Sequence, residues 1–566
     1  MMRFGSFALL LALAPLARAN PTQDLLRRVP PESSLCLVAQ DWKGHAERLA
    51  GSPFAAKLKA SDLGKSLLNA DAVEKLVALE KVLTDSLHLT AEQLRDDILG
   101  DAVVYAFQPG APDKPDDDAG VLLVKARNPK TLAKLIDDLN DAQKQAGELK
   151  ALTERKFGEL AYFRREKSDG VAEYYFVREG VFAFSRDERL VKRVLALDAA
   201  PPKHAPLVEA YDRLGLTKAA LAFLFNPRPL DADFQARIAA APDAPAKAFL
   251  KRFAVIWKAT DSVALAVELG AEVELALHAS FDPKIVPAEL KPFLGTPKAS
   301  ALWAYIPSDA LFALAGRLDL PQALALGKSF LSEPALKGLQ DLLDKQIAPA
   351  VGREALPDLL QGVGPDWGVW LTAPGQADKG AIPDLTVALR VRAPESGDNA
   401  LGDAVKLGLN FAFQVFRVEY NKAHDDQFAL RESKDDAGPI QHLENPKLLP
   451  AGVRPAFAQR GDFFLLASSP EAIRRFDIRK DAPKEGDGPF LRIGGAALER
   501  YLRTHGEYLA KALAARTGKT AADVLQEFRE LQQIVELLDS LEVRQTGTVG
   551  STKWSVKLKL AAPLAK

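Results

Sequence analysis

Methionine and cysteine are almost missing from this chain. Both methionines, Met1 and Met2, stand at the N-terminus, and Cys36 is the only cysteine in 566 residues. A single cysteine excludes an internal disulfide. Cys36 lies in Ser34-Leu35-Cys36-Leu37-Val38, a strand-like apolar run. It therefore reads as a buried small hydrophobe, not as a reactive thiol. It also stands too far into the chain to be a lipid-anchor cysteine. A surplus of charge is missing too: 74 Lys and Arg face 75 Asp and Glu. A near-neutral chain without basic runs fits neither nucleic acid nor an anionic membrane surface. No apolar run reaches the roughly 20 residues of a membrane span.

Catalytic signatures are lacking as well. The seven histidines (45, 88, 204, 278, 424, 442 and 505) contain no HExxH pair. There is no GxSxG elbow. Gly518-Lys519-Thr520 looks like the end of a phosphate loop, but Leu513 occupies the position of the required first glycine. Thr520 to Asp523 reads instead as a helix cap. Gly362 to Gly368 is glycine-rich, yet its spacing is wrong for a dinucleotide loop and a strand follows it. The acidic loop Asp113 to Asp118 offers carboxylates to calcium but lacks the alternating spacing and the distant Glu. It reads as a solvated hairpin loop. His424-Asp425-Asp426 places an imidazole beside two carboxylates, but acid–base chemistry needs such groups to converge on one atom. Arg460-Gly461-Asp462 spells an adhesion tripeptide. Its counterpart, Arg178-Glu179-Gly180, is a hairpin turn, and a turn accounts for both glycines. Trp367, Trp370, Phe411, Phe413 and Phe416 have the spacing of core residues, with an apolar pocket as the alternative. His278 falls opposite Val273, Leu275 and Leu277 and is expected to be exposed. No catalytic, cofactor-binding or metal-binding residue is assigned.

What is present begins with a leader. Arg3, the apolar run Phe4 to Ala14, Pro15 and Ala17-Arg18-Ala19 have the layout of a signal peptide spanning 1–19. The expectation is export to the periplasm or beyond, with cleavage near Ala19.

The mature chain reads as two successive copies of one plan, 20–297 and 298–566. Each copy has a large unit (29–200, 299–477) and a small unit (207–282, 489–562). In the first large unit a strand at Leu35 to Ala39 is followed by helices from Trp42 to Leu87. Two strands, Ala102 to Gln108 and Gly120 to Ala126, come next, then a helix through Leu132, Leu135, Ile136 and Leu139. The stretch Val171 to Leu197 closes it as strand, turn, strand and helix. The second large unit repeats the order. It has a strand at Ala301 to Ile306, a strand pair at Gly368 to Thr372 and Leu385 to Arg392, and a helix through Val405, Leu409, Phe413, Phe416 and Tyr420. Val453 to Phe476 echoes the closing stretch. The helix after each closing hairpin is expected to start at a cap: Ser185 with Glu188, and Ser468 or Ser469 with Glu471. Each small unit ends in a strand pair, Val263 to Leu269 with Glu272 to His278, and Leu541 to Gln545 with Lys553 to Leu560. The period of roughly 270 residues is far above the 20–50 of solenoids and propellers. Hairpin-paired strands with helices between them predict the α+β class, with antiparallel sheets covered by helices and duplicated.

Val29-Pro30-Pro31-Glu32-Ser33-Ser34-Leu35, the turns Leu99-Gly100-Asp101 and Val363 to Gly368, and the two hairpin ends together resemble a family of large exported bacterial proteins of planctomycete type, known only as a domain of unknown function. The resemblance implies an exported α+β protein and carries no site residue. The sequence thus predicts a non-catalytic exported protein that binds an envelope or extracellular partner or serves as a scaffold there. The alternatives are a carrier of an apolar ligand and a hydrolase acting on envelope polymers.

Overall fold

The computed structural model describes residues 20–561, apart from 62–63, 66–80, 82–83, 86, 112–113, 115–116, 271, 332, 343, 346–362, 376–381, 392–399 and 477–487. The expected leader lies outside the described residues. So do Leu76, Leu79, Val82 and Leu83 and the side chains of Val405 and Leu409. Among the described residues no helix is long and apolar enough to cross a membrane. The chain is α+β and forms two units, 1–46 with 75–233 and 47–74 with 234–566.

The first unit contains β1 (Leu35–Gln40), β2 (Ala102–Gln108), β3 (Ala119–Lys125), β4 (Leu149–Phe157), β5 (Leu160–Lys167), β6 (Ala172–Arg178), β7 (Val181–Ser185) and β8 (Leu221–Phe225). All their pairings are antiparallel, in the order β8-β1-β2-β3-β7-β6-β5-β4. Side chains alternate between faces with period two. One face buries Cys36, Val38, Val104, Leu123 and Ala183. Helix Glu188–Ala199 contacts β3, β6 and β7 and turns Leu190, Val191, Val194 and Leu195 inward. Each such aliphatic side chain contributes about 1.5–3 kcal/mol by leaving water. Burial also pushes the Cys36 thiol up to about 12, so it is an inert core residue.

Helix Pro129–Gln145 lies on the opposite face. Asn128 caps it, accepting from the amides of Lys130 and Thr131, and Pro129 supplies the preset φ of a first helical residue. Its Leu132 and Ile136 pack with Tyr175 and Phe163, and Asn140 Nδ2 donates to the Tyr175 hydroxyl at 3.0 Å.

The second unit contains β9 (Thr260–Leu269), β10 (Glu272–Phe281), β11 (Phe312–Arg317), β12 (Asp366–Thr372), β13 (Asp384–Arg390), β14 (Ala429–Asp435), β15 (Gly438–Glu444), β16 (Ala456–Arg460), β17 (Phe463–Ala467), β18 (Leu491–Gly494), β19 (Leu538–Thr548) and β20 (Ser551–Leu560). The order is β9-β10-β20-β19-β18-β11-β12-β13-β17-β16-β15-β14, again antiparallel throughout. From β18 to β14 it matches the first unit strand for strand. Its main core lies on one face, where Ala313, Ala315, Trp370, Leu465 and Ala467 pack with Leu302, Ile306 and Ile473. Hairpin β9–β10 joins this sheet through β10 and β20.

Three local expectations need correction. Ala301 to Ile306 is not a strand: Ala301–Ala304 is a 3-10 turn, and the strand is Phe312–Arg317. The Ser300 hydroxyl accepts from the Leu302 amide, and Asp366 accepts from the Ala301 amide at 3.0 Å, so side chains take the donors a ladder would need. The hairpins β4–β5 and β14–β15 were not expected. Their sequences, such as Leu149-Lys-Ala-Leu-Thr-Glu-Arg-Lys-Phe157, carry charges at the sheet's edge, where natural strands place them.

The third correction is the cap at Ser185. Asp187 caps the helix, accepting from the Arg189 amide at 2.7 Å. Ser185 Oγ instead donates to the Gly120 carbonyl at 2.7 Å and accepts from the Asp187 amide at 2.9 Å, tying the end of β7 to β3. Glu188 accepts from Tyr162 Oη at 2.5 Å, and this bond, with Lys192 and Arg155, holds its carboxyl below the usual range. In the second unit Ser469 is the cap, accepting from the Ala472 amide at 3.1 Å, and Pro470 follows it. Asp187→Ala should therefore cost about 1 kcal/mol of stability. Urea unfolding measures it, and a neutral result would remove the cap.

Candidate functional site

The faces opposite the two main cores carry the features of interest. In the first unit one register line crosses seven strands: Phe223, Leu37, Tyr105, Leu122, Phe184, Tyr175 and Phe163. Helix Pro129–Gln145 covers the end at Tyr175 and Phe163, whose rings stack at 5.1 Å. The other end is open, with Phe223 42 %, Leu37 46 % and Tyr105 45 % exposed. Cross-strand neighbours of this kind normally stabilise a sheet by excluding water together. Left open, they form an apolar patch of the type that marks a binding surface.

The second unit has a longer line. Val267, Leu275, Val556, Val543, Leu491, Leu314, Val369, Val387, Leu466 and Phe457 stand in register on ten consecutive strands. Helix Ala400–Ala423 covers one end, with Phe413 at 4.8 Å from Phe457. Helix Gly495–Thr517 brings Tyr501 and Leu502 against Leu311 and Leu371. Leu385 and Val387 on β13 and Leu275 and Leu277 on β10 remain exposed.

The reverse face of the same hairpins is charged. Glu268, Glu274, Lys557, Glu542 and Arg492 oppose one another across five strands. Directly opposed carboxylates destabilise a pair, and Lys553 offsets this by reaching Glu274 at 2.7 Å and Glu268 at 3.5 Å. Burial acts to raise the Glu274 carboxyl, but Lys553 and Lys557 prevail and hold it low. His278 lies on this face. It is buried, not exposed as the alternation suggested, because the covered side of β10 carries Ala276, His278 and Ser280 while Leu275 and Leu277 face outward.

Two concavities stand on the apolar faces. A cleft of about 760 Å³ in the first unit has Tyr105, Leu122, Tyr174 and Phe184 among its lining, with Asp117, Asp118 and the Arg186 to Arg189 run. Asp187 and Arg189 pair there at 2.7 Å, which holds the Asp187 carboxyl low. A cavity of about 470 Å³ in the second unit has Phe293, Leu318, Phe490, Val543 and Trp554 in its walls.

This cavity follows from local sequence. β18 is only four residues long. Before it, Phe490 alone bridges the neighbouring strands: its carbonyl accepts from Ala315 N at 3.0 Å and its amide donates to the Val543 carbonyl at 2.7 Å. The segment Phe293 to Lys298 is strapped over β19 and β20. Gln545 Nε2 donates to the Phe293 and Gly295 carbonyls at 2.6 and 3.0 Å, Thr296 N donates to the Gly547 carbonyl at 3.0 Å, and Thr552 Oγ1 donates to the Leu294 carbonyl. A Cβ on Gly316 would stand 3.0 Å from the Phe490 ring, so glycine lets the ring lie over β11.

The residues singled out from the sequence do not converge. Thr520 and Asp523 form a capping box at the start of helix Ala521–Val535. His424 stacks on Tyr420 at 4.0 Å, and its Nδ1 meets the Tyr420 carbonyl, while Asp426 accepts from the Tyr420 hydroxyl at 3.2 Å. Asp118 accepts from the Gly110 amide at 2.7 Å. Arg460 is buried in an ion pair with Asp435, and Asp462 pairs with Arg390. Trp370 is core. Phe411 and Phe416 are exposed, contrary to expectation. Phe411 stands two residues, about 200°, around the helix from the inward Phe413. Among the described residues no group of three or more His, Cys, Asp or Glu is placed to hold a metal ion.

No family model, curated protein or solved structure matches the chain. Sequence reasoning missed Phe293, Phe490 and Trp554. Alternation in Ser551–Leu560 marks Trp554, Val556 and Leu558 as one apolar face, but nothing local says that this face is open.

Proposed function

We propose that the protein is an exported, non-catalytic binder of an apolar molecule, seated on the open sheet face of the second unit. The observation that carries this reading is the continuity of the ten-strand apolar line with the cavity: Val543 belongs to both. Pockets of roughly 300–1,000 Å³ with mainly apolar walls are the usual seats of small ligands, and about 470 Å³ falls in that range. The matching strand orders support a duplicated architecture in which each copy presents such a face.

Native mass spectrometry of the protein purified without detergent should show an adduct that organic solvent removes. A clean spectrum, together with no enhancement of an environment-sensitive apolar dye, would end this reading. An envelope protein docked on the same face would instead be lost when Leu265, Leu275 and Leu277 are changed to serine, with dye binding in the cavity unaltered.

A further inference from the structure

The second-unit cavity has a charge sign. Its ionisable lining residues are Lys298, Arg317 and Arg544, and among the described residues no carboxylate lines it. Lys298 and Arg317 come from two separate segments, the strap and the end of β11. Arg544 alternates with Val543 and Gln545 along β19 and pairs with Glu542 at 2.7 Å on the charged reverse face, so the cavity's positive sign comes from Lys298 and Arg317. The aromatic walls, Phe293, Phe490 and Trp554, supply the complementary apolar part.

Size limits the occupant. A cavity of 150 Å³ holds a benzene. At that ratio about 470 Å³ holds about 19 carbon-sized atoms, which suits one alkyl chain and is too small for a two-chain lipid. We propose that the cavity binds a single-chain amphiphile with an anionic head group, the chain against the aromatic walls and the head toward Lys298 and Arg317. This inference rests on the apolar-binding reading above and adds the ligand's charge and chain number.

The test compares four probes of one chain length by calorimetry at low salt, where a charge effect is least screened. They are dodecanoate, dodecyl phosphate, dodecanol and dodecyltrimethylammonium. Both anions should bind at least tenfold tighter than the cation, and the alcohol should fall between. The two anions separate a carboxylate source from a phosphate source. Lengthening the chain from eight to twelve carbons should tighten binding about fourfold per methylene. Arg317→Glu combined with Lys298→Glu should invert the preference toward the cation, with the alcohol changed little. Gly316→Val, which pushes the Phe490 ring into the cavity, should weaken all four.

Equal binding of all four probes, or a preference for the cation, would overturn the anionic assignment and leave the apolar-binding reading standing. Anion preference that survives the double charge reversal would overturn the assignment to this cavity. Failure of every probe, the alcohol included, would overturn both.

Discussion

Arg460→Ala should destabilise the second unit by about 2–3 kcal/mol, since it removes a buried guanidinium bound to a partly exposed carboxylate and to main-chain carbonyls. Arg460 is 1 % exposed. Its Nη2 donates to both oxygens of Asp435 at 2.9 Å, and Nη1 donates to the Gln459 and Ala437 carbonyls at 3.2 and 3.3 Å. One guanidinium thus joins the β14–β15 turn to the β16–β17 turn, where Gly461 adopts φ 55°. Alanine would leave Asp435 without its cation and two carbonyls without donors. Lysine would keep the charge but not the planar fork, so Arg460→Lys should recover little.

The same geometry makes a second, sharper expectation. Arg460→Met combined with Asp435→Leu should restore most of the loss, since removing both charges avoids an unpaired buried group. Urea unfolding followed by tryptophan fluorescence reads all four forms. A cost below about 1 kcal/mol for Arg460→Ala would show that solvent already serves the pair. The burial also settles the tripeptide Arg460-Gly461-Asp462: its guanidinium is inside the fold and its carboxylate is bound to Arg390, so neither is presented as an adhesion ligand.

The second large effect is one of pH. His278 is pushed down to about 4 from an ordinary 6.5, first by burial and then by Lys553, with Glu274 acting the other way. Its Nε2 has no hydrogen-bond partner among the described residues. A histidine held neutral in the fold but free to protonate when unfolded favours the unfolded chain as acid is added. The contribution is fully present above pH 6.5 and is lost as pH falls toward 4. The size over that window is about 3 kcal/mol. Carboxylates titrate in the same range, so the comparison must be between proteins. His278→Gln should flatten the stability profile between those limits relative to the parent chain. Identical slopes would place the ring in solvent.

Local pattern was legible wherever neighbours in sequence decide the outcome. The pairs β2–β3, β12–β13, β9–β10 and β19–β20 are joined by chain connections, and their alternation is visible in one window. Thr520 and Ser469 accept from amides three residues on, so these caps can be read from the sequence as residue types, while the cap next to Ser185 fell on Asp187. Cys36 stands in a continuous apolar run that reads as a strand, and the fold placed it on the covered face while Leu37 took the open one. The α+β class followed from these elements.

Tertiary structure alone decided which face of each strand is covered. A period of two produces two faces and does not rank them. The covered side of β10 therefore carries alanine, histidine and serine while its leucines face outward, and His278 was misplaced. It also decided that β10 pairs with β20, a contact between residues some 280 positions apart that no local signal encodes. The cavity has the same origin. Phe293, Phe490 and Trp554 meet only because a short β18 and a strap held by Gln545 and Thr552 bring three distant segments together. The amino-acid sequence determined most of the core strands and the caps at Thr520 and Ser469, because each depends on residues within a few positions. The open apolar faces, the buried histidine and the cavity walled by Phe293, Phe490 and Trp554 depended on pairing and coverage between distant segments, and only the fold determined those.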